Sequence, residues 1–471
     1  MSKVIVVGAG AGGVATAARL AKQGFDVTVV EKNDFVGGRC SLIHHNGYVR
    51  YWSLLYFKSL LANNSQRFDQ GPSLLLMPEV FHETFHDLGT SIEGEGISLL
   101  KCEPNYRVWF SDHDSFDLTT DVARLKPQIE HHEGENSFHS FLGFMQESGR
   151  HYDLSMIHVL RRNFPGLFSM MRLGLLRSLF TMHPFQSIHS RVSRYFTSDK
   201  MRRIFTFGSM YLGMSPYDAP GTYSLLQYAE LAGGVWYPAG GFEKILEGIE
   251  KIGKRFGVEY RLKSPVSSII ISEDHSAKGV LLSSGEKLEA DLVVVNADLV
   301  YAYKHLLPAS KEARRLSNRE ASCSSISFFW SFDRHQLPDE PSFYVNVPSR
   351  IDPTAAPKGK DAVVVLVPTG HMMDSTEPQD WDTLVSKARD TYVETPASWE
   401  EKFNLDRGSI LGLSHSFFSV LSLRPKSKHS SIKGLYIVGA STHPGTGVPV
   451  CLAGSKLVSD QIMEDCGVCP L

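Results

Sequence analysis

Three glycines and one acidic residue near the amino terminus have the spacing of a phosphate-binding turn and its ribose partner. Gly8, Gly10 and Gly13 follow four β-forming residues, and Glu31 comes directly after a second apolar run. Such glycines permit a tight turn, a close approach of the backbone to a pyrophosphate and close packing of the next helix. An acidic residue at this distance accepts hydrogen bonds from ribose hydroxyls. The pattern predicts a dinucleotide site.

The elements that must position these residues form one strand–turn–helix–strand unit. Residues 4–7 predict a buried parallel strand, residues 14–22 a helix and residues 26–30 a second strand. The amino terminus of such a helix favours a bound phosphate. Because Glu31 is acidic, it disfavours the ribose phosphate of NADP, whereas FAD and NAD both fit this unit. A purely structural glycine turn is the alternative interpretation.

A paired glycine and an arginine follow this unit, as Gly37, Gly38 and Arg39. Backbone N–H groups and a guanidinium at this place suit contact with the same diphosphate, and an ordinary surface turn is the alternative. NAD dehydrogenases do not need this extension, whereas FAD enzymes of the glutathione-reductase type often have it. The extension therefore favours FAD.

A second glycine-rich corner lies near the carboxyl terminus, between an apolar strand and a helix. It contains Gly439, Gly445 and Gly447, and the helix starts near Val448. Two such corners in one chain suit the long FAD molecule, and the helix dipole would stabilise negative charge on the reduced flavin. His443 would lie beside the flavin ring, which makes it a candidate for proton transfer. A histidine packed for shape is the alternative.

Length, charge and cysteine content limit the class of protein. A chain of 471 residues exceeds one typical core and predicts two intertwined domains. Its net charge of −3 gives no general attraction to nucleic acid. Six scattered cysteines do not form a disulfide scaffold. His131 and His132 predict a solvated loop rather than a metal site, because adjacent helical residues face different sides. No signal peptide and no carboxyl-terminal anchor are expected.

Residues 161–203 combine an apolar stretch rich in Phe and Met with many basic residues. Residues 167–185 are apolar around most of a helical circumference, and basic residues beside such a helix suit anionic headgroups. This pattern predicts peripheral docking to the cytoplasmic side of a membrane. A buried helix that caps a hydrophobic pocket is the alternative, and the two are compatible. The basic residues are Arg161, Arg162, Arg191, Arg194, Lys200, Arg202 and Arg203.

With these blocks together, the chain resembles the phytoene desaturase family, in its fungal and bacterial FAD-dependent branch within the flavin amine oxidase superfamily. The matching segments are GAGAGG, EKNDFVGGRC, RFDQGPS, MYLGMSP, GGVWYPAGGF, EADLVVVNAD and VGASTHPGTGVP. The resemblance implies a flavin enzyme that takes hydride from a hydrophobic C40 isoprenoid and introduces double bonds. It also adds Gly71 and Pro72 to the FAD-binding residues.

The resemblance implies an α/β fold with a two-domain, glutathione-reductase-like Rossmann architecture and an inserted mixed α+β domain. Residues 1–90, 231–305 and 426–471 would bind FAD. Residues 91–230 would form a helical part for substrate and membrane, and residues 306–425 an antiparallel sheet for substrate. A flavin oxidase with an amine or porphyrinogen substrate and an inactive relative with the same fold are the alternatives. No catalytic residue other than His443 is assigned.

Three departures from the family pattern accompany the resemblance. Residues 49–66 are an insertion, and the segments near residues 334 and 391 are shortened. Fungal relatives usually continue into a hydrophobic tail, whereas this sequence ends at Leu471. These changes put the activity in question more than the fold. A homo-oligomer is compatible with the sequence.

Overall fold

A computed structural model describes residues 2–45, 66–333, 344–356, 360–369, 392–416 and 419–470. The insertion expected at residues 49–66 lies outside this description except for its last residue. The shortened segments near residues 334 and 391 also lie outside it.

Eighteen strands occur in the described residues. They are β1 (Lys3–Val7), β2 (Asp26–Val30), β3 (Leu42–His45), β4 (Gln66–Asp69), β5 (Leu99–Cys102), β6 (Tyr106–Trp109), β7 (Ser115–Leu118), β8 (Val235–Pro238), β9 (Glu259–Arg261), β10 (Val266–Ile271), β11 (Ala277–Leu282), β12 (Lys287–Glu289), β13 (Leu292–Val295), β14 (Ser324–Asp333), β15 (Tyr344–Asn346), β16 (Lys360–Thr369), β17 (Tyr392–Glu394) and β18 (Leu435–Ile437).

Thirteen α-helices occur in the same residues. They are α1 (Ala11–Lys22), α2 (Pro78–Asp87), α3 (Val122–Glu133), α4 (Phe138–Ser155), α5 (Leu173–Met182), α6 (Ile188–Val192), α7 (Asp199–Thr206), α8 (Leu225–Tyr228), α9 (Glu243–Arg255), α10 (Leu299–Tyr301), α11 (Lys311–Ser317), α12 (Pro396–Phe403) and α13 (Val448–Asp465). Of these helices, none is both long and apolar enough to cross a lipid bilayer.

A five-stranded parallel sheet forms the centre of the fold, in the order β18-β13-β1-β2-β9. Both of its faces are covered, so β1 is apolar at successive positions instead of alternating with polar residues. Val4 and Val6 face one hydrophobic cluster, whereas Ile5 and Val7 face the other. The next strand in sequence, β2, pairs with β1 along one edge, whereas β13 pairs with β1 along its other edge. In such sheets, ligands bind where the strand order diverges in this way.

An antiparallel sheet in the order β15-β16-β14-β17 forms a second layer. Its strands all lie within residues 306–425, where an antiparallel sheet was expected. One face packs Phe329 and Val364 against Phe68 of β4. Ser327 and Leu366 lie on a cavity wall. This sheet therefore covers one side of that cavity.

The helix expected over residues 167–185 is present in two pieces, a 3-10 turn over Leu167–Met171 and then α5. The break falls at Arg172, which has an extended backbone with φ −59° and ψ 125°. Its side chain donates to the Asn163 carbonyl at 3.2 Å and lies over the Phe164 ring. These tertiary contacts replace continuation of the helix.

A fully buried arginine joins the helices α1, α2 and α13. Arg19 of α1 donates to Thr84 of α2 at 3.3 Å and to the Leu452 carbonyl of α13 at 3.4 Å. It also forms a 3.1 Å ion pair with Asp87. Because the side chain is 1% exposed, its removal would leave several of these groups without their partner.

Replacement of Arg19 by Met is expected to lower the free energy of unfolding by about 3 kcal/mol. Chemical denaturation monitored by circular dichroism measures this change. The matched control is Arg203→Met, which removes an ion pair with Asp199 in which both side chains are 73% exposed. That control is expected to cost less than about 1 kcal/mol. An equal loss of unfolding free energy in the two variants would show that the burial of Arg19 does not make its contacts more stabilising than those of an exposed ion pair.

Candidate functional site

Both glycine corners border one cavity of about 770 Å³. It extends from the carboxyl ends of the parallel strands to the helices α4, α5 and α8. The structure brings together residues that are more than 400 positions apart in sequence. Eleven of the twelve residues expected to bind the cofactor line it, namely Gly8, Gly10, Glu31, Gly38, Arg39, Gly71, Pro72, Gly439, Gly445, Gly447 and Val448.

The remaining residue, Gly13, does not belong to the cavity wall. A Cβ atom at this position would lie 2.2 Å from the carbonyl oxygen of Gly8. Gly13 therefore allows α1 to pack directly on the turn after β1, which is the helix-packing role of the third glycine. Glu31 lies on the other side of the turn, where it accepts the Ala9 N–H at 2.8 Å and the Asn33 N–H at 2.9 Å.

The segment around Arg39 closes on the same turn. The Gly37 N–H donates to the Ala9 carbonyl at 2.8 Å, which holds this segment beside the first corner. Gly71 packs so tightly on Arg39 that a Cβ atom would lie 2.6 Å from the Arg39 carbonyl oxygen. The Arg39 guanidinium donates to the Ile410 carbonyl. A positively charged group thus lies at the cavity wall beside backbone N–H groups.

The second corner presents the amino terminus of α13 to the cavity. Gly447 precedes the helix with φ +97°, a backbone conformation that residues with a side chain rarely adopt. His415 borders this corner, and its Nε2 accepts the Thr446 N–H at 3.2 Å. Burial chiefly, and the charge of Arg424 in addition, hold the pKa of His415 well below its ordinary value. The imidazole is therefore neutral and able to accept this bond.

Asn296 joins the two corners and was not recognised in the sequence. It follows β13, and its Nδ2 donates to the Val438 carbonyl at 2.8 Å. Its buried Oδ1 has no hydrogen-bond partner among the described residues. A Cβ atom at Gly10 would lie 2.8 Å from that oxygen. The only signal in the sequence was a buried strand that ends in small polar residues.

His443, the candidate for proton transfer, is not among the residues that line the cavity. Its Nε2 donates to the Arg162 carbonyl at 2.8 Å, and its ring contacts Phe164 edge-on. Burial is the main cause that lowers the pKa of His443 to about 4. The placement favours the alternative interpretation, in which the imidazole is packed for shape and backbone bonding.

The part of the cavity farther from the glycine corners is mainly apolar. Three residues of α5 at helical spacing, Leu175, Leu179 and Met182, border it. Further apolar side chains come from the segments before α5 and around residues 207–226. These are Met156, Val159, Leu160, Met170, Phe207, Met210, Leu212, Leu225 and Leu226. Such a wall suits a hydrocarbon, because it offers few groups that a polar substrate could bond.

His131 and His132 lie in the last turn of α3, so the prediction of a loop at these residues was wrong. Their ligand atoms and a carboxylate oxygen of Asp114 lie within 4.8 Å of one another, although adjacent residues were expected to diverge. The Lys200 ammonium lies 2.7 Å from Asp114. A cationic side chain thus already binds this carboxylate.

A parallel sheet, a glycine-rich corner near each end of the chain and one cavity that both corners border together define an FAD-dependent oxidoreductase fold. Residues 11–463 match the family described as flavin containing amine oxidoreductase. The chain belongs to this family, and within it to the phytoene desaturases. It is 52% identical to the phytoene desaturase of Fusarium fujikuroi, over 98% of this chain and 90% of that protein.

Two further comparisons extend this result. The zeta-carotene-forming phytoene desaturase of Myxococcus xanthus is 35% identical, over 98% of this chain and 94% of that protein. The solved structure of cyclohexylamine oxidase from Brevibacterium oxydans has a TM-score of 0.58 at 16% identity, over 99% of both chains. The solved structure supports the fold alone. The sequence relatives confirm the resemblance inferred from the motifs.

Proposed function

We propose that this protein is an FAD-dependent carotene desaturase. It introduces double bonds into phytoene or a related C40 isoprenoid by hydride transfer to the flavin, in carotenoid biosynthesis. The observation that carries this proposal is one cavity that joins two glycine corners to a mainly apolar chamber. The 52% identity to a phytoene desaturase over nearly the whole chain supports the same substrate class.

The residues at the two corners fit FAD. The α1 amino terminus and Arg39 suit the pyrophosphate, since both offer positive charge to an anion. Glu31 keeps acceptor capacity for ribose hydroxyls, and the buried Oδ1 of Asn296 is an acceptor without a partner among the described residues. The flavin supplies the acceptor for the substrate hydride. The α13 amino terminus at Val448 would face the ring.

The chain itself mainly has to orient a long apolar molecule and exclude water. The α5 residues and the serine-bearing face of β14 enclose the chamber from two sides. A carbon that loses hydride next to a double bond is stabilised by that π-system, and loss of a proton from the neighbouring carbon then completes the new double bond. The site therefore needs no polar clamp on the carbon that loses hydride. The mainly apolar wall argues against an amine or porphyrinogen, which would require polar partners at the same place.

We also propose that the α5 region docks on a membrane surface. Phe168, Leu173 and Phe180 are 88%, 63% and 87% exposed. They lie on and just before α5, whose opposite face borders the cavity. A substrate as apolar as a C40 isoprenoid reaches a protein through lipid, and exposed aromatic side chains suit the acyl boundary. The lipid bilayer is therefore the proposed occupant of this surface.

Fewer basic residues can take part than the sequence indicated. Arg191 is 4% exposed and pairs with Glu147 of α4. Lys200 pairs with Asp114 at 2.7 Å, so its charge is also compensated. The attraction to anionic headgroups would then come from the exposed Arg172 and from similarly exposed neighbours. The proposed docking therefore relies on apolar contact together with this smaller set of charges.

The proposed division into domains has support from strand order. The five parallel strands come from residues 1–90, 231–305 and 426–471, the three segments assigned to FAD. The antiparallel sheet with β14 comes from residues 306–425, and α3 to α8 come from residues 91–230. The substrate part would therefore be built from two insertions into the FAD-binding part.

Expression in a phytoene-producing bacterial host tests the function. The expected result is a flavin absorption spectrum in the purified protein and loss of phytoene to more desaturated, coloured carotenes. Flavin-containing protein with unchanged phytoene would contradict the desaturase activity. If the same protein is then bleached by amines, an amine substrate is indicated. Folded protein that takes up no FAD would indicate the inactive relative.

A further inference from the structure

Arg424 is a buried cation that has no carboxylate partner among the residues that the structure describes. Its side chain lies in the loop before β18 and is 2% exposed. No salt bridge joins it to an acidic residue in the described ranges of the chain. The other two arginines that are similarly buried, Arg19 and Arg191, pair with Asp87 and Glu147. A buried charge is normally paired, because removing a lone ion from water is costly.

Five backbone carbonyl oxygens surround the guanidinium instead. Nε donates to Thr442 at 3.0 Å, while Nη1 donates to Ser414 at 3.2 Å and to Ser419 at 3.0 Å. Nη2 donates to Leu413 and Ala440. These dipoles satisfy the hydrogen-bonding groups, yet they carry no net charge. The positive charge is therefore held in place without being neutralised.

This charge lies directly behind the second glycine corner. Ala440 and Thr442, whose carbonyls it binds, both line the cavity, as does His415. The field extends to the cavity wall, since the Arg424 charge adds to burial in lowering the pKa of His415. Among the described residues, the titratable groups that act on Arg424 are Tyr223, Arg319 and Cys451. Burial raises the pKa of Tyr223 to about 12 and the pKa of Cys451 to about 11, so both are neutral, whereas Arg319 is a cation. The Arg424 charge and the α13 amino terminus therefore both make this side of the cavity electropositive.

We propose that Arg424 raises the reduction potential of the flavin by stabilising negative charge on the reduced ring. A substrate hydride brings two electrons and one hydrogen nucleus to the ring, and this leaves one negative charge there. A fixed cation in a buried site stabilises such a charge more than it would in water. Arg424 acts through the field and touches no reacting atom, so it is a positioning residue. The inference rests on the proposed FAD site.

The test is the flavin potential of purified holoenzyme, measured by spectral titration against a reference dye. Arg424→Gln is expected to weaken two-electron reduction at least tenfold, which is about 30 mV. Arg424→Lys keeps the charge and is expected to retain most of the potential. Arg19→Gln, which removes a buried arginine paired with Asp87, is expected to leave the potential unchanged.

A purely structural role predicts a different result. Arg424→Gln and Arg424→Lys would then both lose stability, and the flavin that stays bound would keep the wild-type potential. That outcome overturns this inference alone, whereas a wild-type protein that takes up no FAD overturns the proposed function as well.

If Arg424→Gln does not fold, the pH dependence of the flavin potential in the wild-type protein tests the inference. Uptake of one proton with two electrons gives a slope of about 30 mV per pH unit, the result expected for a negatively charged reduced ring. A slope twice as steep between pH 6 and 8 would mean that the ring is neutral, and it would overturn the inference.

Discussion

Replacement of Gly13 by alanine is expected to abolish FAD binding and to lower the free energy of unfolding by about 3 kcal/mol. The added Cβ atom would lie 2.2 Å from the Gly8 carbonyl oxygen and 2.9 Å from Oδ1 of Asn296. The nearer atom belongs to the backbone of the same turn, so a side-chain rotation cannot relieve the contact. The α1 amino terminus would have to move away from β1, and the first corner would lose its shape.

Flavin absorbance per polypeptide and chemical denaturation measure these two effects. Gly233→Ala is the matched control, because a Cβ atom there meets no described residue within 4 Å and its φ is not positive. The control is expected to bind FAD like the wild type. If Gly13→Ala kept its full flavin content, then the packing of α1 on the turn would not be what shapes the proposed FAD site.

The corners themselves could be predicted because each depends on a short, continuous stretch of sequence. Gly8, Gly10 and Glu31 lie within a single β1–α1–β2 unit, where the order of elements restricts the interpretation. Gly445 and Gly447 lie in an equally local strand–turn–helix. The apolar run of β1 also predicted a strand buried on both faces, and both hydrophobic clusters confirm this.

Residues whose roles depend on distant partners could not be predicted. Asn296 binds the backbone at Val438, 142 positions away. Arg424 lies in a basic loop sequence that, taken alone, is typical of a solvated surface. Arg191 was expected to face headgroups, whereas its partner Glu147 lies on α4 and cannot be inferred from the local charge. In each case the missing information is which segments pack together.

A double replacement of Phe168 and Phe180 by serine is expected to reduce liposome binding by about a hundredfold. Each phenylalanine side chain that leaves water for the acyl boundary contributes about 1.5 kcal/mol, and the two contributions add to about 3 kcal/mol. Both side chains are almost fully exposed, at 88% and 87%. Their loss is therefore expected to leave the free energy of unfolding nearly unchanged.

Flotation with vesicles of phosphatidylcholine and phosphatidylglycerol measures the binding. Phe256→Ser is the control, since this partly exposed phenylalanine follows α9 in the proposed FAD-binding part, away from the proposed docking segment. Desaturation activity in detergent and in vesicles distinguishes a loss of membrane docking from a loss of folding. The double variant should desaturate phytoene in detergent at the wild-type rate and lose most activity with phytoene in vesicles. Equal activity of the variant and the wild type in vesicles would mean that substrate enters by a route other than the α5 surface.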